Sequence, residues 1–175
     1  MMLRHVPALL LAAAVAVFAS TASAEISPES DRAPAGNFSL DNLSGDSISL
    51  DDYEGKVVVI SFWATWCVPC LQELPHLNGF YEVYQDDGLV VLAITTDGPE
   101  TQSDVRSLVR RSRWSLEVLS DMDGAVSNVL NPRGTNPFTL YIDRAGRVAA
   151  SHEGYSLGDE VMAEQYIQTL LAETL

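Results

Sequence analysis

Apolar residues run along this chain in two rhythms. Val57-Val58-Val59-Ile60-Ser61-Phe62-Trp63 and Leu89 to Thr95 are near-continuous β-branched or apolar runs, as expected of strands buried on both faces. Behind the first, Leu71, Leu74, Leu77, Phe80, Tyr81 and Tyr84 recur at three- and four-residue spacing, which predicts a helix to about Gln85. Behind the second, Val105, Leu108 and Val109 mark an amphipathic helix over 101–112. Its arginines, Arg106, Arg110, Arg111 and Arg113, read as a solvated face. Upstream, Phe38, Leu40 and Leu43 are separated from Ile48 and Leu50 by Ser44-Gly45-Asp46, a β-hairpin pattern over Asn37 to Leu50. Downstream the pattern predicts a short strand over Leu116 to Leu119, a short helix over Asp123 to Leu130, and a strand over Phe138 to Ile142. A turn at Asp143-Arg144-Ala145-Gly146 then leads to a hairpin partner over Arg147 to Ser151, and Glu160 to Leu171 closes the chain as a helix. Strands alternating with helices, then a terminal hairpin, imply an α/β fold with a mixed central sheet and helices on both faces.

The ends of the chain read differently. Arg4 and His5 precede an apolar stretch, Val6 to Phe18, and Ala22-x-Ala24 gives a small-residue cleavage pattern. Residues 1–24 are therefore expected to be a secretory signal cut after Ala24. An uncleaved anchor is the alternative, because the alanine-rich flank extends an apolar run otherwise short of the roughly 20 residues of a span. No cysteine lies in this segment, which disfavours a lipid anchor. Residues 25–36, rich in Ser, Pro, Asp and Ala, read as a linker, leaving 37–175 as one domain.

Charge narrows the partners. With 24 acidic and 10 basic residues, of which Lys56 is the one lysine, the 175-residue chain carries a formal charge of −14. Such a chain repels phosphate backbones, so nucleic acid is not an expected partner.

The two cysteines, Cys67 and Cys70, sit four residues end to end. Closing so small a ring removes little chain entropy, about 2 kcal/mol, so a structural staple explains them poorly. Exported proteins that need staples spread several pairs along the chain. Cys67-Val68-Pro69-Cys70 instead follows a buried strand and opens a helix, the setting of a redox pair. Free N–H groups and the dipole at a helix start favour a thiolate. Cys67 is then the nucleophile, and Cys70, one turn further in, resolves the mixed disulfide. Pro69 is tolerated because first-turn N–H groups lack helical partners. Zinc is the competing use of Cys-x-x-Cys, but a structural site needs four ligands; no second cysteine pair exists, and His76 and His152 are isolated in sequence.

The segment Phe62-Trp63-Ala64-Thr65-Trp66-Cys67-Val68-Pro69-Cys70 resembles the active-site segment of thioredoxin-like proteins of the extracytoplasmic TlpA/ResA/CcmG type, and the resemblance extends from Asn37 to Leu171. It implies a thioredoxin fold with an N-terminal β-hairpin extension and one inserted strand–helix unit. It also implies thiol–disulfide exchange with no cofactor beyond the Cys67–Cys70 disulfide, and no metal. Three residues carry over singly. Glu73 matches a glutamate close to the cysteine pair, able to take or give the proton of Cys70; an exposed helical glutamate is the plain alternative. Pro75 matches a proline inside the redox helix. Pro137 matches a cis-proline opposite the disulfide, which would turn Asn136 toward a bound peptide. With Trp66, Val68 and Pro69, Asn136 and Pro137 make the expected client-binding rim; Trp63 either flanks the site or is simple core, and Asp143 and Gly146 form a turn. The sequence departs from the pattern at Ser61, where many thioredoxins carry a buried aspartate, so any proton relay falls to Glu73. Asn136 stands where small or β-branched residues are commoner.

Function then reads as an exported reductant of disulfides in other exported proteins. The clients implied by resemblance are those of cytochrome c maturation or copper-site cysteines, in a periplasmic or extracytoplasmic compartment. A membrane thiol donor would restore the dithiol, and the protein is expected to be a monomer. A copper-binding chaperone of the same fold is the alternative, but such chaperones use a wider cysteine spacing and a histidine where this chain has Asn136-Pro137. A thiol peroxidase would need Thr or Ser at position 64, which is Ala64.

Overall fold

The computed structural model describes residues 25–174; the expected signal segment lies outside them. The elements follow in the order β1 (Ser39–Asn42), β2 (Ser47–Ser49), β3 (Val57–Trp63), α1 (Val68–Tyr84), β4 (Leu89–Thr95), α2 (Gln102–Ser112), β5 (Glu117–Ser120), α3 (Ser127–Leu130), β6 (Phe138–Ile142), β7 (Val148–Glu153) and α4 (Asp159–Ala172). The described strands form one mixed sheet in the order β2-β1-β5-β4-β3-β6-β7. This is the expected thioredoxin fold, with the β1–β2 hairpin extending the β5 edge and α2 joining the parallel strands β4 and β5.

β3 sits at the centre, parallel to β4 and antiparallel to β6. Every residue of β3 is buried, and alternation divides its side chains between two cores. Val57, Val59 and Trp63 meet Leu74 and Leu77 of α1, Val105 of α2 and Ile167 and Leu170 of α4. Val58, Ile60 and Phe62 meet Leu92, Ile94, Leu119 and Val126 on the other face, where α3 and the chain before β1 provide the cover. Each such side chain contributes about 1.5–3 kcal/mol on burial. Helices thus lie on both faces; among the described residues α3 is the one α-helix on the second. That helix is shorter than the pattern over 123–130 predicts, because buried Asp121 accepts from the N–H groups of Val126 and Ser127 and holds the preceding residues in a turn.

Residues 25–36 are not a free linker. Ser27 N–H donates to Ala149 O, Val148 N–H to Ala33 O, and Ala35 N–H to Gly146 O, so the segment lies along the outer edge of β7. Arg32 anchors it. Its guanidinium is buried, donating to Ser27 O at 2.8 Å, to Asp143 Oδ2 at 3.0 Å and to both carboxylate oxygens of Glu173 at 2.7 Å. The polar composition that suggested a linker is used here to pair with a strand edge and a buried carboxylate. Asp143 also accepts from Ala145 and Arg147 N–H, which shapes the turn at Gly146, whose φ of +73° suits glycine. The turn role of Asp143 stands, joined by a buried ion pair.

Candidate active site

The site is assembled where β3, β4 and the chain entering β6 end together. Cys67 is the N-cap of α1, its Sγ accepting from Cys70 N–H at 3.3 Å. Val68 and Pro69 fill the first helical turn, and Cys67 and Cys70 are joined by a disulfide with an S–S distance of 2.02 Å. Both sulfur-bearing residues are buried, Cys70 completely, whereas Trp66 and Val68 beside them are 71% and 67% exposed. The result is an apolar rim around a recessed redox pair. Trp63 is core, packed edge-on against Trp114 with ring centroids 5.7 Å apart. Pro75 lies within α1, where its missing N–H leaves one carbonyl of the preceding turn free.

The Asn136–Pro137 bond is cis. Phe138 pairs with Phe62 in register, so Pro137 stands at the same sheet end as Trp63 and the chain leading to Cys67. Asn136 Nδ2 donates to Thr96 Oγ1 at 2.9 Å, and Thr96 in turn donates from its hydroxyl and its N–H to Trp63 O. That chain of bonds orients the Asn136 amide and leaves its Oδ1 buried and without a partner. The unusual residue before the cis-proline is therefore tied into the strand ends.

Glu73 is more deeply placed than an exposed helical residue. It is 5% exposed, on the inner face of α1 one turn beyond Cys70. Ser61 Oγ donates to its Oε2 at 2.9 Å and Thr139 Oγ1 to its Oε1 at 2.8 Å. Ser61, the departure from the thioredoxin aspartate, thus holds the carboxylate supplied by α1. Burial pushes the Glu73 pKa above the ordinary carboxylate value, against the opposing effect of the two hydroxyl donors and of nearby His152. A carboxyl so raised holds its proton more readily than an exposed one, which favours proton exchange with a neighbouring thiol.

One residue escaped the sequence reading. Thr96-Asp97-Gly98-Pro99 reads as a strand terminator, yet Asp97 is 2% exposed. It accepts from Thr65 N–H at 2.8 Å, Thr65 Oγ1 at 2.6 Å and Thr95 Oγ1 at 2.8 Å. It fixes the loop that carries Trp66 into Cys67. An isolated aspartate at a strand end gives no sequence signal that its partner lies in the preceding loop.

A family model described as AhpC/TSA matches residues 30–151, which includes most of this assembly. The chain belongs to the AhpC/TSA family. Within it, the thiol-disulfide oxidoreductase ResA of Halalkalibacterium halodurans is 32% identical over 139 residues, covering 78% of this chain and 75% of that protein. The thioredoxin-like protein YneN of Bacillus subtilis is 35% identical over 128 residues, 72% of each. A Chlorobium tepidum structure assigned as thiol:disulfide interchange protein DsbE superposes with a TM-score of 0.75 at 30% identity, covering 81% of this chain and 97% of that one. These are relatives of the TlpA/ResA/CcmG type. Within the family this chain is a thiol–disulfide oxidoreductase, with the Cys67–Cys70 pair as its disulfide.

Proposed function

We propose that the protein is an exported dithiol reductant that opens disulfides in other exported proteins. The observation that carries this reading is the Cys67–Cys70 pair at the start of α1, one turn from a buried carboxylate with a raised pKa. In the reduced protein, the bond that Cys70 N–H makes to Cys67 Sγ and the helix dipole would favour a Cys67 thiolate. That thiolate attacks one client sulfur, and the other leaves as a thiolate. Cys70 passes its proton to Glu73 and attacks Cys67 Sγ. The Cys67–Cys70 bond forms, and the client departs with both sulfurs reduced.

Trp66, Val68, Pro69 and the backbone of Asn136-Pro137 form the client-binding rim in this reading, supported by the exposure of Trp66 and Val68. Clients in cytochrome c maturation or copper-site assembly are suggested by the resemblance to the ResA and DsbE types. Action in an extracytoplasmic compartment, reached through residues 1–24, requires a membrane thiol donor to restore the dithiol, because that compartment is oxidising. The deciding experiment is equilibration of residues 25–175 with glutathione or dithiothreitol buffers. A potential near or below about −250 mV supports the reductant, and one near about −120 mV makes the protein an oxidant instead.

A further inference from the structure

A narrow crevice runs from Glu73 toward the surface, further along α1 than the cysteines. Its volume is about 10 Å³, room for about one water molecule. Titratable groups face it from each element packed around Glu73: His76 on α1, Tyr141 on β6, His152 on β7, Tyr155 in the loop after β7, and Asp159 and Glu160 in the first turn of α4. The two histidines that look isolated in sequence are brought to one place by the fold.

Among these groups His152 has the position of a relay. It stands directly opposite Thr139 in the β6–β7 register, and Thr139 donates to the Glu73 carboxylate. Directly opposed side chains in an antiparallel pair start about 4.5–5.5 Å apart at Cβ, so the imidazole begins one side chain from the carboxyl. Its Nε2 lies 3.1 Å from Asp159 Oδ2, and the two side chains reach solvent, 28% and 32% exposed. An imidazole accepts a proton at one ring nitrogen while giving one from the other. The remaining groups are less suited. Tyr155 spends its hydroxyl hydrogen on Glu160 at 2.8 Å. Burial holds Tyr141 un-ionised. His76 is exposed and stacked on the Tyr155 ring.

We propose that His152 and Asp159 are the proton port of Glu73, connecting it to solvent through water in the crevice by a route separate from the client-binding rim. The inference rests on the reductant reading above. In the resolving step the Cys70 S–H proton moves to the Glu73 carboxylate. The Cys70 thiolate attacks Cys67 Sγ, the Cys67–Cys70 bond forms, and the Cys67–client bond breaks with its electron pair leaving on the client sulfur. Glu73 is left neutral and must shed that proton. While a protein client covers Trp66 and Pro137, the mouth of the site is closed to water. The port then lets Glu73 discharge from behind, its proton passing to crevice water, to His152, and from the His152–Asp159 pair to bulk. No electrons move in this relay.

The test mixes reduced protein, in dilute buffer at neutral pH, with two oxidants: hydroxyethyl disulfide, too small to close the mouth, and ribonuclease A with scrambled disulfides, which covers it. Tryptophan fluorescence follows formation of the Cys67–Cys70 disulfide. His152→Gln is expected to match wild type within about twofold on the small disulfide and to resolve about tenfold more slowly on the protein, as for loss of a proton-transfer group. Asp159→Asn moves in the same direction, His76→Gln does not, and added imidazole restores His152→Ala. Wild-type rates for His152→Gln on both oxidants would overturn the port. So would equal slowing on both without imidazole rescue, which marks a packing role. A wild-type protein that reduces neither oxidant sinks the reductant reading itself, before any variant is compared.

Discussion

Arg32→Met isolates the ion pair that fastens the N-terminal segment to the domain, because methionine keeps an apolar stem of similar length and removes the guanidinium. Four hydrogen bonds are lost. The two to Glu173 count least: that carboxylate is 23% exposed and returns to water, so the pair contributes about 0–1 kcal/mol. The bond to Ser27 O is an ordinary one, about 0.5–1.5 kcal/mol. The bond to Asp143 counts most, since that carboxylate is 2% exposed and a bond between charged groups contributes about 1.5–3 kcal/mol. Removing one partner of a buried pair costs about 3–5 kcal/mol when the other is stranded. Asp143 is not stranded, because it keeps the Arg147 side chain at 2.8 Å and the N–H groups of Ala145 and Arg147. The expected cost is therefore about 3 kcal/mol. For a domain of this size that lowers Tm by about 6–12 °C. Calorimetry of the oxidised protein at neutral pH measures it, with urea unfolding as the check. A loss below about 0.5 kcal/mol, the usual range of a surface substitution, would refute the assignment of residues 25–36 to the folded domain.

Four other outcomes follow from the same geometry. Asp143 is buried, which raises its pKa, but the Arg147 N–H, Arg32, the Arg147 side chain and the Ala145 N–H outweigh burial and leave it below the ordinary value. Its stabilising contribution is present above the unfolded carboxylate range, about pH 4, and is lost as pH falls through the folded value; acid titration of Tm should show a drop that Asp143→Asn flattens. Glu73→Gln keeps an acceptor for one hydroxyl donor and should slow resolution of the mixed disulfide by about 10²-fold in rapid-mixing kinetics. Because the Glu73 pKa is raised by burial, ionising it costs stability as pH climbs past the unfolded value, so Glu73→Gln should be more stable than wild type at neutral pH and equal to it below about pH 4. Asp97→Ala removes three acceptor bonds and leaves the Thr65 N–H without its partner, so it should cost about 2–3 kcal/mol and lower Cys67 reactivity toward iodoacetamide in the reduced protein.

What could be read from the sequence was what depends on neighbours in the chain. The apolar runs of β3 and β4 carry their own signature, because a strand buried on both faces has no polar side to interrupt it. Cys67-Val68-Pro69-Cys70 shows its setting within a dozen residues, and Pro137 precedes a readable strand. The rest depends on pairs the chain closes over long separations. Arg32 meets Asp143 and Glu173 only because β7 and the end of α4 reach the same sheet end. His152 becomes Glu73's neighbour only through the β6–β7 register. Ser61 looked like the loss of a carboxylate, yet Glu73 arrives from α1 to occupy its hydroxyl. In each case a polar residue with no local purpose finds its partner in another element.

The bond between Arg32 and Glu173 has a topological consequence. It brings residues near the two ends of the described chain into direct contact, at the opposite end of β6 from the cis-proline. A short bridge could therefore join them, and the backbone could be reopened elsewhere, in the exposed turn at Ser44–Asp46 between β1 and β2 for instance, to give a circular permutant whose redox pair is undisturbed. The same adjacency makes the domain a module for insertion into a surface loop of a carrier protein, with the sheet end that carries the redox pair turned away from the graft.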